Sequence, residues 1–165
     1  FDGTGDYLDV GDSDDWNFGT GDFTIDAWVR MTTIPTSTNK VIIVGIAGEG
    51  TSGNPDGWWL GYNAATNYGT NGFYFNVGWV SPYGQSTTGP ASTEVANANQ
   101  WYHVALTFAN FDPILITLWL NGIKVEEKLQ LDPTDWYSEF SVGYTNYNIN
   151  HLQDFSSISK FNGLI

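Results

Sequence analysis

Hydrophobic and polar residues alternate along this chain in short bursts, each in step with the two-residue period of a pleated strand. The clearest runs over residues 23–31, where Phe23, Ile25, Ala27, Val29 and Met31 share one face and Thr24, Asp26, Trp28 and Arg30 the other. A half-buried strand is predicted there, its second face a polar surface or an intersheet edge covered by Trp28. Strands are also predicted at 7–10, 41–47, 57–62, 72–79, 101–108, 140–144 and 155–165, with Phe73, Phe75, Val77 and Trp79 in register. Asn121-Gly122, between apolar runs 114–120 and 123–128, predicts a hairpin, because this pair accepts the positive φ angles of a type I′ turn.

The stretches 48–56 and 82–99, rich in Gly, Ser, Thr, Asn and Pro, are predicted as loops on the rim. So many short strands, joined by loops and not helices, describe an all-β, antiparallel two-sheet β-sandwich. Composition agrees: nineteen glycines and eight tryptophans beside one methionine and 14% charged residues favour strands and tight turns. With 165 residues and 41% hydrophobic content, one domain with its own core is expected over 1–165. Its ends, Phe1 without an initiator methionine and Ile165 directly after an apolar run, read as cuts in a longer chain.

Charge narrows the partners. A formal net charge of −13 with five basic residues repels nucleic acid and anionic membrane surfaces, both of which need clustered Lys or Arg. The longest apolar run, around 41–48, is far short of the roughly 20 residues of a spanning helix, so no membrane insertion is expected. Without cysteine there is no disulfide framework, thiolate zinc or thiol catalysis.

Five segments occur in a telling order: Phe1-Asp2-Gly3 with Asp6-Tyr7-Leu8; Phe18-Gly19-Thr20-Gly21-Asp22-Phe23-Thr24-Ile25-Asp26-Ala27-Trp28-Val29; Gln100-Trp101-Tyr102-His103-Val104-Ala105; Leu118-Trp119-Leu120-Asn121-Gly122; and Phe161-Asn162-Gly163-Leu164-Ile165. Together, across essentially the whole chain, they resemble the laminin-G-like or concanavalin-like lectin-glucanase domains. The resemblance implies two antiparallel sheets stacked as a jelly roll. It also implies a further strand after Phe161–Ile165, so a final strand is expected to be missing and its ladder row to be covered by other residues or another chain. Similar domains are common in secreted bacterial proteins and in tail or capsid-surface proteins of phages, which implies an extracellular or virion-surface location.

Hydrolases of this fold place paired carboxylates at alternate positions of one inner-face strand, and no such run is present. Glu126 and Glu127 are adjacent, so they point to opposite faces and are read as solvated. His103 sits in an alternating strand and is read as packed and hydrogen-bonded; His151 lies near Asp154 without a serine nucleophile context. No enzyme activity is expected.

Eight of the eighteen acidic residues fall within the first 26 positions. Calcium takes hard oxygen ligands, and Asp2, Gly3 and Asp6, with Gly5 allowing close backbone approach, are the candidate set for a structural Ca2+. Asp12 to Asp15 read as a solvated turn. Similar family members hold a structural calcium where the first loop meets an acidic residue after the last strand.

Sugar recognition needs an aromatic face for the apolar side of a pyranose and amides or carboxylates for its hydroxyls. Three groups of rim residues fit: Asn54, Asp56, Trp58 and Trp59; Tyr83 and Gln85; and Tyr144, Asn146, Tyr147 and Asn148. Core packing competes with ligand stacking at the tryptophans, since of two adjacent strand residues one faces inward. The sequence thus leaves two readings open: a non-catalytic recognition or adhesion module for glycans or cell surfaces, and a structural domain contacting other copies or other domains of a phage particle or filament.

Overall fold

In the computed structural model, described for residues 1, 21–35, 40–48, 56–63, 72–78, 87–109, 114–130 and 163–164, alternation becomes sidedness. β1 (Phe23–Met31) buries Val29 and Met31, half-buries Phe23, Ile25 and Ala27, and exposes Thr24, Asp26 and Trp28. The chain then runs through β2 (Lys40–Gly48), β3 (Asp56–Asn63), β4 (Gly72–Gly78) and β5 (Thr87–Ala91). It returns as β6 (Trp101–Ala109), β7 (Ile114–Leu120), β8 (Ile123–Gln130) and β9 (Gly163–Leu164). All pairings are antiparallel, in sheets ordered β8-β7-β6-β1-β9 and β2-β3-β4-β5. This is the predicted two-sheet sandwich.

The core lies between the inner faces. Tyr102, Val104, Leu106 and Phe108 of β6, with Ile116, Leu118 and Leu120 of β7, meet Leu60 and Tyr62 of β3 and Phe73 and Phe75 of β4. Aromatic rings cross the gap: Phe75 meets Phe108 edge-on at 5.4 Å, and Phe108 in turn stacks on Phe23 at 4.3 Å. Such pairs contribute about 0.5–1.5 kcal/mol each beyond their burial. The 121–122 turn has φ of 52° and 79°, the positive values that a type I′ hairpin needs.

One loop expectation is corrected. Within 82–99 lies β5, whose Thr87, Thr88 and Ala91 pair with Val77, Asn76 and Tyr74 of β4. Gly89 and Pro90 together oppose Phe75, a bulge in an edge strand, and that is where a sheet tolerates proline. A Cβ on Gly89 would come within 2.9 Å of the Phe75 carbonyl oxygen, so the glycine that reads as loop composition is there for close approach. Segments 48–56 and 57–62 are corrected at their margins, since β2 includes Gly48 and β3 begins at Asp56. The strands predicted at 7–10 and 140–144, and residues 155–162, lie outside the described residues.

Candidate functional site

The face of the five-stranded sheet turned away from the core carries an aromatic surface. In the β1–β6 ladder Trp28 is opposite His103, Arg30 opposite Trp101 and Asp26 opposite Ala105, so all six side chains leave the same face. Trp28 is 58% exposed and Trp101 45%. As diagonal neighbours their backbones are about 7–8 Å apart. The Trp28 ring tilts toward His103 with centroids 5.1 Å apart, and His103 Nε2 lies 2.9 Å from Asp26 Oδ2. With its proton on Nε2 the imidazole donates to a carboxylate that also faces solvent. In the next row Trp119 Nε1 donates to Thr107 Oγ1 at 3.0 Å, which holds that indole against β6 beside the buried Ala105.

Two anchors hold this surface. Asn121 of the hairpin donates its N–H to the His103 carbonyl at 2.8 Å and accepts the His103 N–H on Oδ1 at 3.0 Å, fixing β6 at the imidazole. At the Trp101 end, Arg30 donates from Nε to the Asn99 carbonyl at 3.1 Å and from Nη2 to Asn99 Oδ1 at 3.2 Å. Asn99 donates to the Met31 carbonyl at 2.7 Å and takes the positive φ of 62° that turns the chain into β6. The approach to this turn is pinned from the core: Ala96 N donates to the Tyr62 hydroxyl at 3.1 Å and Asn97 N to the Tyr102 hydroxyl at 2.7 Å. Burial pushes the Tyr62 phenol up; the Ala96 bond opposes this in part and Tyr102 adds to it.

A family model described as the Concanavalin A-like lectin/glucanases superfamily, of the laminin-G group, matches residues 2–165. The chain belongs to that superfamily. Among solved structures it is similar to a Bacteroides ovatus ATCC 8483 protein assigned to carbohydrate binding, with 22% identity and a TM-score of 0.43 over 70% of this chain. The chain spans 27% of that protein's length. Nothing among the curated proteins matches it.

In this concanavalin-like domain the sugar residues predicted from sequence are distributed differently from expectation. Asp56, Trp58 and Trp59 are not in a rim loop; they begin β3, with Asp56 opposite Gly48 and Trp58 opposite both Ile46 and Val77. Gly48 of β2, opposite Asp56, extends the strand by one residue into the Gly-rich flank that reads as loop. Trp58 is in step with the core residues Leu60 and Tyr62, whereas Trp59 is in step with Gly61 and Asn63 and opposite Asn76. Asn54, Tyr83, Gln85, Tyr144, Asn146, Tyr147 and Asn148, and the calcium candidates Asp2, Gly3 and Asp6, lie outside the described residues. Among the described residues no group of three or more His, Asp or Glu could hold a metal ion.

Trp28, Trp101 and Asp26 were not legible as a site in the sequence. The available signal was a tryptophan on each of two strands in phase with polar residues. His103 is hydrogen-bonded as expected, but on the outer face and not in the core. Glu126 and Glu127 do leave β8 on opposite faces, yet neither is simply solvated. Glu126 accepts from Ala91 N at 2.6 Å; Glu127 accepts from Thr117 Oγ1 at 3.3 Å and pairs with Lys124.

Proposed function

We propose that this domain is a non-catalytic carbohydrate-recognition module that binds glycans on the Trp28–Trp101 face. The observation that carries the reading is the pair of exposed indoles, held by hydrogen-bonded turns beside a carboxylate and an imidazole, in a superfamily named for lectins and glucanases. Adjacent exposed tryptophans leave an apolar patch in water, and the C–H face of a pyranose covers such a patch while its hydroxyls reach Asp26 and His103. Hydrolysis needs two carboxyl groups about 5–10 Å apart across one glycosidic bond. Glu126 and Glu127 diverge and Asp26 is engaged by His103, which supports binding without turnover.

Placement outside the cell or on a virion, and a calcium ion at Asp2, Gly3 and Asp6, belong to the same proposal. Their support is the −13 charge, which multivalent cations and saline surroundings screen, and the acidic N-terminal run. A melting temperature that chelator leaves unchanged removes the calcium.

A glycan array probed with the labelled domain tests the reading, with Trp28→Ala and Trp101→Ala alongside. Loss of signal in both variants, with melting temperature retained, is expected. Retained signal in both moves the site elsewhere. No glycan signal, with copies of the domain burying Trp28 in the parent assembly, replaces recognition by structural contact.

A further inference from the structure

We infer that the ligand of the Trp28–Trp101 face is an uncharged oligosaccharide lying across both indoles as at least two linked rings, and that acidic glycans are rejected. This rests on the recognition reading above. The chain has only five basic residues against eighteen acidic ones. Three of the five have described side chains, and each is engaged within the domain. Lys124 pairs with Glu127 at 3.4 Å, and Lys128 donates to the Gly89 carbonyl at 2.9 Å and lies 3.6 Å from Glu126. Arg30 borders the indoles, but its Nε and Nη2 are both given to Asn99. That Nε–Nη2 edge is one of the forks with which a guanidinium grips a carboxylate or sulfate, and here the turn before Trp101 occupies it.

At the other end of the surface Asp26 presents negative charge to any ligand stacked on Trp28, and the net charge of −13 opposes the approach of a polyanion. Neutral hydroxyls suit this surface, because Asp26 accepts from them and, with Nε2 donating to Asp26, the His103 imidazole accepts on Nδ1. The arrangement also favours length. Trp28 and Trp101 lie diagonally on one face of an antiparallel pair, so a single ring covers one indole and a linked chain covers both.

Calorimetric titration of the domain separates the possibilities. The probes are cellohexaose, laminarihexaose, xylohexaose and mannohexaose, their disaccharides, a heparin hexasaccharide and an oligogalacturonate, each at about 50 and 300 mM salt. At least one neutral hexaose is expected to bind, with affinity changing less than about twofold between the two salts. Its disaccharide should bind about tenfold more weakly, and Trp101→Ala should bring the hexaose down toward the disaccharide. Trp101→Phe, which keeps a ring, should restore part of the loss and so distinguish stacking from misfolding. Tighter, salt-sensitive binding of heparin or oligogalacturonate overturns the ligand class while leaving recognition standing. Equal affinity for hexaose and disaccharide overturns the two-ring footprint. Binding by none of the probes overturns this inference together with the reading it rests on.

Discussion

Glu126 Oε2 accepts a hydrogen bond from the backbone N–H of Ala91 at 2.6 Å, across the gap between the edge strands β8 and β5. Two residues along each strand, Lys128 Nζ donates to the Gly89 carbonyl at 2.9 Å. Glu126 and Lys128 lie opposite Leu118 and Ile116 and so face inward, where they satisfy edge groups of β5 that have no neighbouring strand among the described residues. Inward charges of this kind keep a sheet edge from pairing with another chain.

Glu126→Ala should therefore cost about 1–2 kcal/mol, the low part of the range for a charge-assisted bond because the carboxylate is 38% exposed. Denaturant unfolding reads this as a lower midpoint at unchanged slope. The double variant Glu126→Ala with Lys128→Ala should also self-associate with rising concentration in sedimentation velocity; a monomer at all concentrations removes the edge-sealing role.

Tyr62 makes stability fall at alkaline pH in a defined direction. Burial raises its phenol above the ordinary value of 10.0, so the folded state keeps the proton after the unfolded chain has lost it. The contribution is complete below pH 10.0 and diminishes as pH rises from there through the folded value. Tyr62→Phe leaves Ala96 N without its partner, at about 1–2 kcal/mol near neutral pH. The difference in unfolding free energy between wild type and variant should narrow above pH 10.0, and a constant difference sinks the assignment.

Two glycines should respond oppositely to a methyl group. At Gly61 a Cβ would run into the Val41 carbonyl oxygen and stand 3.1 Å from the Tyr74 ring, so Gly61→Ala should destabilise by about 1–3 kcal/mol. At Gly21 a Cβ would meet no described residue within 4 Å, and Gly21→Ala should change stability by less than about 0.5 kcal/mol. Thermal unfolding of the two variants side by side checks the contrast.

The hairpin tip links turn chemistry to the candidate site. Gly122 holds φ of 79°, so Gly122→Ala should cost about 1–2 kcal/mol. Asn121→Ala loses both tolerance for positive φ and the acceptor for His103 N. It should cost a similar amount, and it should shift the His103 amide and imidazole resonances in NMR spectra. A spectrum unchanged at His103 argues against the hairpin positioning that residue.

Much of the architecture is written in the order of residues. The sidedness of 23–31, the strand at 101–108 and the Asn121-Gly122 hairpin follow from local chemistry: a period of two sets the buried face, and only certain residues accept positive φ. The family segments fixed the sandwich in the same way, by their order along the chain. What the sequence could not decide depends on contacts between distant residues. β5 exists because β4 supplies its hydrogen bonds and Phe75 fills the space over Gly89, although Thr-Thr-Gly-Pro-Ala has loop composition. Asp56 and Gly48 became strand residues because each lies opposite the other, although both fall in a segment of loop composition. The Trp28–Trp101 surface appears only when β1 and β6, more than seventy residues apart, lie in one register. Alternation puts an indole on one face of its strand, but whether that face meets the core or water is set by the side on which the second sheet packs, and that is a property of the folded chain.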